Sequence, residues 1–194
     1  MSLYQTGRAS GFPVKRLQYP ANVVYYALPM WDEKVLIEAG CSPGVVAHCT
    51  AVSRTAVNFA ERVKSVAVDR ELVRLGGLVH DIGRARSHDI HHALAGVQIG
   101  RELGFSERLL AIIERHIGAG ITAAEAERLG LPKKDYLPLS PEEKIVSYAD
   151  NLTKGSEPML FEQAVERFRD ILGPDHEGIT LLVRQHEEIQ GWMR

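Results

Sequence analysis

Cysteine is scarce in this sequence, which contains only Cys41 and Cys49, and the two do not form a Cys-x-x-Cys pair. Disulfide-rich secreted domains and cysteine-rich zinc sites need more thiols, so neither class fits. No apolar run approaches the roughly 18 residues that cross a bilayer, and the N-terminus lacks the basic and then apolar layout of a signal peptide. These absences predict a cytoplasmic protein with no membrane segment.

An excess of charge of one sign is also missing. The 23 lysines and arginines nearly balance 25 aspartates and glutamates, which leaves a formal net charge of −2. Nucleic-acid-binding domains usually carry a clear basic excess, so this balance argues against nucleic acid as a partner, although a local basic patch stays open. The Gly-x-Ser-x-Gly, Walker A and dinucleotide-binding patterns are absent too, so nothing points to a serine nucleophile or a phosphate-binding loop.

Length and composition describe one ordinary soluble domain. The chain has 194 residues, of which 45% are hydrophobic and 25% are charged. A chain of this length buries about 70% of the surface that its unfolded form exposes, so its stability needs neither disulfides nor a metal. We therefore expect any metal site to be functional.

Turn residues and apolar spacing predict an all-α, single-domain helical bundle. Residues 1–30 combine glycine and proline with no sustained helical period, which indicates an extended or loosely packed N-terminal arm. Residues 31–194 are helical in pattern, and none of their segments alternates as a strand does. Ser140-Pro141 followed by Glu143 has the form of a capping box and marks a helix start. The predicted helices lie at about 31–39, 44–66, 68–83, 92–103, 106–117, 122–130, 141–154, 157–172 and 175–193.

Histidine is the residue type that stands out, because the sequence has eight, five of them between residues 80 and 116. Several histidines and aspartates fall on the apolar faces of four predicted helices: His48, the pair His80-Asp81, His116 and Asp150. A buried imidazole or carboxylate is costly unless it is paired or bound to a metal. Taken singly, each histidine is more often a satisfied structural residue. One divalent metal centre would account for all of them, and nitrogen and oxygen ligands without thiolates suit iron, manganese, cobalt, nickel or zinc.

His48, the pair His80-Asp81 and Asp150 follow one another with about 30 and then about 70 residues between them, and the pair lies in the sequence His-Asp-Ile-Gly. This ordered series resembles the HD superfamily of metal-dependent phosphohydrolases, whose central motif takes that form. The resemblance covers residues 31–155 and implies an HD-type helical fold, with the C-terminal helices at 157–193 beyond it. A further likeness is to small archaeal HD proteins of undefined substrate, in the stretches GAGIT, LGLP, DYLP and EKIV at 118–122, 129–132, 135–138 and 143–146.

The resemblance also implies a set of metal ligands. These are His48, His80, Asp81, His92, His116 and Asp150. The last two histidines of the set correspond to the additional pair in dinuclear members, so the six ligands would hold two ions with Asp81 as the bridge. His91 stays open as an alternative to His92, since only the spacing to Gly96 separates them. The added pair could also be a solvated helix-start residue and a core histidine.

Such a centre predicts hydrolysis of a phosphoric ester or anhydride. Two neighbouring metal ions polarise phosphoryl oxygens and produce a hydroxide near neutral pH, so we expect metal-activated water to be the nucleophile. The expected substrate is a small nucleotide or a related phosphorylated metabolite. A different class stays open, a metal-retaining ligand-binding or signalling domain with little turnover, because a fold does not establish catalysis.

Positive groups beside the ligands are expected to bind phosphate. Arg84 follows His80 by four residues and Lys154 follows Asp150 by four, so each reaches the side of its ligand if the helix continues that far. Gly83 is expected to end the helix before Arg84, which could prevent this. Both charges could instead be solvated helix ends. Together with Asp81, Arg84 and Lys154 complete the predicted catalytic residues.

Three other features are open in the sequence. Residues 121–140 separate two of the ligands and are a candidate lid or specificity element. His88 could protonate a leaving group or simply lie in a surface loop. His176 and His186 lie beyond the motif region, and we assign them no chemistry.

Overall fold

The structure is a computed structural model and describes residues 31–194; the predicted arm at 1–30 lies outside the described residues. Residues Asp32–Arg194 form one unit of nine α-helices, a 3-10 helix and a two-stranded hairpin, which confirms the all-α prediction. In chain order these are α1 (Lys34–Ala39), α2 (Pro43–Arg62), α3 (Arg70–Val79), the 3-10 helix (Ile82–Ala85), α4 (His92–Glu102), α5 (Glu107–Arg115), α6 (Ala123–Arg128), α7 (Pro141–Asn151), β1 (Thr153–Lys154), β2 (Glu157–Pro158), α8 (Phe161–Leu172) and α9 (Glu177–Trp192). None of the helices at 31–194 is both long and apolar enough to span a bilayer.

Side-chain caps begin α2, α3, α5 and α7, whereas α4, which starts at His92, has none. Ser42, Asp69 and Ser106 each accept a hydrogen bond from the backbone N–H three residues later, at the starts of α2, α3 and α5. Ser140 and Glu143 form the predicted capping box at the start of α7. A cap satisfies a backbone donor that has no partner within the helix and stabilises it by about 1 kcal/mol. The sequence therefore defines where these helices begin.

The core lies between α2, α3, α5 and α7, and α4 packs against α5 and the 3-10 helix. Each of the four core helices contributes fully buried apolar side chains: Val52, Val73, Ile112 and Val146 are examples. A second apolar cluster joins Tyr148 and Leu152, at the end of α7, to side chains of α8 and α9. The C-terminal helices are thereby held next to the part of α7 that carries Asp150.

Three predicted helices extend three or four residues too far. The predictions placed their ends at 66, 83 and 154, whereas α2 ends at Arg62, α3 at Val79 and α7 at Asn151. After α7, Thr153–Lys154 pairs antiparallel with Glu157–Pro158 through a turn at Gly155, whose φ is +61°. The sequence shows no alternation at this hairpin, because a two-residue strand is too short to produce it.

Gly83 does not end α3, which corrects the role predicted for it. It lies in the 3-10 helix, and its backbone touches that of α4: a Cβ at Gly83 would lie 1.8 Å from the carbonyl oxygen of His92 and 2.4 Å from the amide nitrogen of Gly96. Glycine is required because two backbone segments meet at this point. The contact brings the start of α4 next to Asp81.

The candidate lid at 121–140 has a small core of its own. Ile121 and Tyr136 form an isolated antiparallel bridge, with the amide of Tyr136 donating to the carbonyl of Ile121 at 2.8 Å. Ala126 and Leu131 are buried between them. The segment folds back on itself and places α6 beside the cavity described below.

Candidate metal centre

The six predicted metal ligands meet in one cluster, although they come from five parts of the fold. His48 lies on α2, His80 and Asp81 follow α3, His92 begins α4, His116 follows α5 and Asp150 lies on α7. Four of these side chains are buried. His48 and Asp150 keep 18% and 21% of their side-chain surface exposed, so the cluster is open on their side.

Asp81 lies at the centre of this cluster and divides it into two halves. One carboxylate oxygen faces His92 and His116, and the other faces His48 and His80. Its Oδ1 is 3.0 Å from Nε2 of His92 and 3.4 Å from Nε2 of His116. Its Oδ2 is 3.9 Å from Nε2 of His80 and 4.0 Å from Nε2 of His48. Asp81 therefore has histidine nitrogens within 4.0 Å of both carboxylate oxygens.

Asp150 completes the half that contains His48 and His80. Its Oδ1 lies 2.9 Å from Nε2 of His48 and 3.6 Å from Nε2 of His80. One ligand atom from each of these three residues lies within 4.8 Å of the others, and the same holds for His80, Asp81 and His116. Metal–ligand distances near 2.0–2.2 Å place neighbouring ligands about this far apart. The two groups share His80, and each of them could hold a metal ion.

Backbone carbonyls determine the tautomers of three histidines. The Nδ1–H groups of His80 and His116 donate at 2.8 Å to the carbonyls three residues earlier, at the C-terminal ends of α3 and α5. The Nδ1–H of His92 donates in the same way to the carbonyl of Asp89 at 2.6 Å. Because a carbonyl engages Nδ1 of each ring, Nε2 is the nitrogen that faces the cluster.

The hairpin after α7 performs this task for the fourth histidine. The Nδ1–H of His48 donates at 2.7 Å to the carbonyl of Gly155 in the β1–β2 turn. Its Nε2 then faces the carboxylate of Asp150. The structure therefore explains the hairpin as a support for His48, and the sequence contains no local signal for it.

Several contacts in the cluster are unfavourable unless a cation lies among them. Nε2 of His92 faces Nε2 of His116 at 3.0 Å, although both Nδ1 atoms are already the donors. Nε2 of His80 and Oδ1 of Asp81 are buried without a hydrogen-bond partner. Facing lone pairs repel, and each unsatisfied buried group costs about 1–3 kcal/mol. The atoms present therefore fit the predicted divalent transition metal, whose ligands are imidazoles and carboxylates.

The charges within the cluster shift the pKa values of its members. Burial lowers the pKa of His80, but the carboxylates of Asp150 and Asp81 outweigh this effect and raise it to about 9. Burial opposes the ionisation of Asp81, yet the imidazoles of His116 and His80 hold its pKa well below the usual range. The pKa of Asp150 is lowered in the same way, chiefly by His80 against the effect of burial. Both carboxylates are therefore ionised at neutral pH, as metal binding requires.

The structure brings Arg84 to the cluster but not Lys154. Nε of Arg84 donates at 2.5 Å to Oδ2 of Asp81, and its guanidinium lines the cavity beside the metal centre. Lys154 is exposed on β1 and lines a separate groove against α8. The prediction for Lys154 required the helix to continue to that residue. Because α7 ends at Asn151, the four-residue spacing does not place Lys154 beside Asp150.

Of the two adjacent histidines left open by the sequence, the structure brings His92 to the cluster. His91 is exposed, and its backbone N–H donates to Oδ1 of Asp89 at 2.8 Å. The difference follows from the helix start, because the backbone of His92 lies against Gly83 and its side chain is buried, whereas His91 is the exposed N-cap residue.

A cavity of about 700 Å³ opens from the cluster towards the C-terminal helices. Its far wall includes residues that the sequence analysis missed: Phe168, Ile171, Leu172, His176 and Leu181. The sequence does contain a signal for the residues of α8, since its apolar residues recur every three or four positions. In the structure, Ile171 and Leu172 of this apolar face are 66% and 41% exposed. An apolar face that is not fully covered by the core is a sign of a binding surface.

Known proteins are similar to this chain over most of its length. The family model of the HD domain matches residues 45–155. An uncharacterised protein of Methanocaldococcus jannaschii is 50% identical over 156 residues, which cover 79% of this chain and 92% of that protein. A tRNA (cytidine(56)-2'-O)-methyltransferase of Picrophilus torridus is 38% identical over 145 residues, which cover 75% of this chain but only 41% of that longer protein.

Among solved structures, the HD domain of the L. monocytogenes phosphodiesterase PgpH superposes with a TM-score of 0.48 at 16% sequence identity, covering 82% of this chain and 97% of that one. The family model spans more than half of the sequence, and the matched stretch contains all six clustered residues together with the His-Asp-Ile-Gly motif. These matches confirm the resemblance to HD proteins, including a small archaeal one. This chain belongs to the HD domain family.

Proposed function

We propose that this protein is a metal-dependent phosphohydrolase or phosphodiesterase that acts on a small nucleotide or a related phosphorylated metabolite. The observation that supports this most is the convergence of four imidazole Nε2 atoms and two ionised carboxylates beside an open cavity. Membership of the HD domain family supports the same chemistry. A purely structural cluster would not need two facing histidine lone pairs.

Two ions are proposed, one for each oxygen of Asp81. The first ion would be held by Oδ2 of Asp81 together with His48, His80 and Asp150. The second ion would be held by Oδ1 of Asp81 together with His92 and His116. When bound, divalent ions supply Lewis acidity that polarises phosphoryl oxygens and lowers the pKa of water towards neutrality.

Arg84 is proposed to bind the substrate phosphate. Its side chain is held in place by the carboxylate of Asp81 and by the carbonyl of His88, to which its Nη1 donates at 3.3 Å. A guanidinium has five N–H donors, so donors remain for phosphate oxygens after these two contacts. The phosphate is thereby oriented at the open side of the cluster.

The proposed activity is tested by supplying the full chain with Mn²⁺, Co²⁺, Ni²⁺, Fe²⁺ or Zn²⁺ in separate reactions. Each form is assayed against mononucleotides, cyclic nucleotides and dinucleoside polyphosphates. We expect product release that EDTA abolishes and that one of the metals restores. Bound nucleotide without any metal-dependent product would contradict the enzyme and favour the ligand-binding alternative.

An RNA phosphate is a second candidate substrate. It is favoured by the relative from Picrophilus torridus, whose name describes an enzyme that modifies tRNA. The balanced charge of this chain argues against it, because RNA-binding surfaces are usually basic. Short oligoribonucleotides in the same assay separate the two candidates. If the protein neither cleaves them nor binds them in a salt-sensitive way, RNA is rejected as the substrate.

The two-ion proposal makes a prediction about metal content. Wild type is expected to retain close to two ions per chain, and His92→Ala or His116→Ala close to one, because each variant removes a ligand from the half that Oδ1 of Asp81 completes. Elemental analysis after dialysis measures this. His91→Ala is the matched control, since the exposed neighbour does not face the cluster. A content of one ion in all four proteins would refute the second position.

A further inference from the structure

The cavity beside the metal centre has two walls of different origin. One wall is the cluster itself, within the stretch 45–155 that matches the family model. The opposite wall comes from α8 and α9, beyond that stretch, and consists of the apolar side chains Phe168, Ile171, Leu172 and Leu181. These apolar residues of the cavity therefore lie outside the matched part of the chain.

Phe168 is the aromatic residue of this wall, and its position relative to the cluster is well defined. A Cβ built on Gly118, two residues after His116, would lie 3.8 Å from the Phe168 ring. Gly118 has a φ of +55°, and its carbonyl accepts a hydrogen bond of 2.6 Å from the hydroxyl of Ser147 on α7. The ring also packs on the apolar cluster that contains Leu182, so the core supports it from behind.

Charge divides the cavity into two ends. Arg84 and the proposed ions make the end at the cluster positive. The other end carries the carboxylates of Glu125 and Glu177, beside Thr122 and His176. Thr122 donates to Glu177 at 3.5 Å, and Nε2 of His176 lies 3.6 Å from Glu125. A phosphate is attracted to the first end and repelled from the second, which instead offers polar groups to an uncharged ligand edge.

Arg167 is a basic residue that α8 brings to the rim of the cavity. It is exposed and also lines the outer groove that contains Lys154. Its charge lies at the entrance, where it attracts an anionic substrate from solution, and the surface inside the entrance is Phe168 and its aliphatic neighbours. A ligand that enters the cavity from this side would therefore pass Arg167 before it meets the apolar wall.

We propose that this wall recognises the base of a nucleotide, which stacks on Phe168 while its phosphate lies at the metal centre. A nucleobase has apolar faces and a polar edge, which matches a cavity lined by the Phe168 ring and by the polar side chains of Thr122 and Glu125. The inference rests on the proposed function and adds to it a substrate orientation and a residue that determines specificity. It assigns substrate selection to α8 and α9, and hydrolysis to the helices that carry the cluster.

A binding experiment tests the inference with a readout other than turnover. Phe168→Trp places an indole on the wall, and AMP, GMP, CMP and UMP are titrated into the Mn²⁺-supplied full chain, with wild type as the blank for the other tryptophans. We expect at least one nucleotide to quench the new fluorescence while ribose 5-phosphate does not, because only the nucleotide has a base to stack. An equal response to ribose 5-phosphate and to all four nucleotides would overturn the proposal.

Kinetics on the best nucleotide substrate provide the second readout. Phe168→Ala is expected to raise KM by about tenfold to a hundredfold, the range of one base–aromatic stack, with kcat nearly unchanged. Phe168→Tyr keeps the ring and should restore KM. Arg169→Ala is the matched control, because this exposed residue of α8 pairs with Glu166 and does not line the cavity.

The two proposals fail in different ways. If wild type hydrolyses a nucleotide and Phe168→Ala has the same KM, the base-recognition proposal is wrong and the hydrolase stands. If no metal-dependent product forms but a nucleotide selectively quenches Phe168→Trp, the hydrolase is wrong and the wall still binds a base. Folding is followed by circular dichroism for every variant, and Phe168→Tyr decides the result if the alanine variant is unfolded.

Discussion

Asp81→Asn is expected to reduce metal-dependent hydrolysis by more than about 100-fold, because loss of even an outer-shell partner of a metal ligand costs about 10–100-fold. The carboxylate of Asp81 faces imidazole nitrogens with both oxygens. An asparagine has one oxygen and one NH₂ group, and the NH₂ group cannot act as a ligand. The substitution therefore deprives one half of the centre of its shared ligand without changing the size of the side chain.

The measurements are kcat/KM on the best substrate of the panel and the metal content of the purified protein. Asp89→Asn is the matched control: Asp89 is exposed, its carboxylate faces Ser87 and His91, and only its backbone carbonyl supports His92. We expect this control to keep both metal and activity. Turnover and metal content equal to wild type in Asp81→Asn would contradict the proposed centre.

Gly83→Ala is expected to lower the free energy of unfolding by about 3 kcal/mol or more, which places it among the severe overpacking substitutions. The added Cβ would overlap the carbonyl oxygen of His92 at 1.8 Å and the amide of Gly96 at 2.4 Å. Backbone atoms cannot rotate away as a side chain can, so the 3-10 helix and α4 must separate. Because Asp81 and His92 lie on either side of this contact, metal retention should fall as well.

Urea denaturation followed by circular dichroism measures this effect. Gly191→Ala on α9 is the matched control, since no heavy atom lies within 4 Å of the added Cβ. Alanine is the better helix former, so the control should be neutral or more stable by up to about 1 kcal/mol. A Gly83→Ala protein with the midpoint and metal content of wild type would show that the close approach is not needed.

Much of the fold and of the site is readable from local patterns. Ser140 and Glu143 identify the start of α7 because a capping box depends on residues three positions apart. His48, His80 and Asp150 draw attention because each lies on an apolar face, which is also a local property. Their convergence in space follows from the packing of α2, α3 and α7. Their role as ligands stays a proposal.

The sequence by itself determined the all-α class, the starts of the capped helices α2, α3, α5 and α7, and the polar residues that break their apolar faces, because caps and apolar spacing act within one or two helical turns. Only the tertiary structure decided that Gly155 supports His48, that Lys154 lies away from the cluster, and that α8 and α9 wall the cavity. The hydrogen bond from His48 to Gly155 joins positions 107 residues apart. Contacts over such separations depend on how the helices pack, and the apolar periodicity of a single helix does not determine that packing.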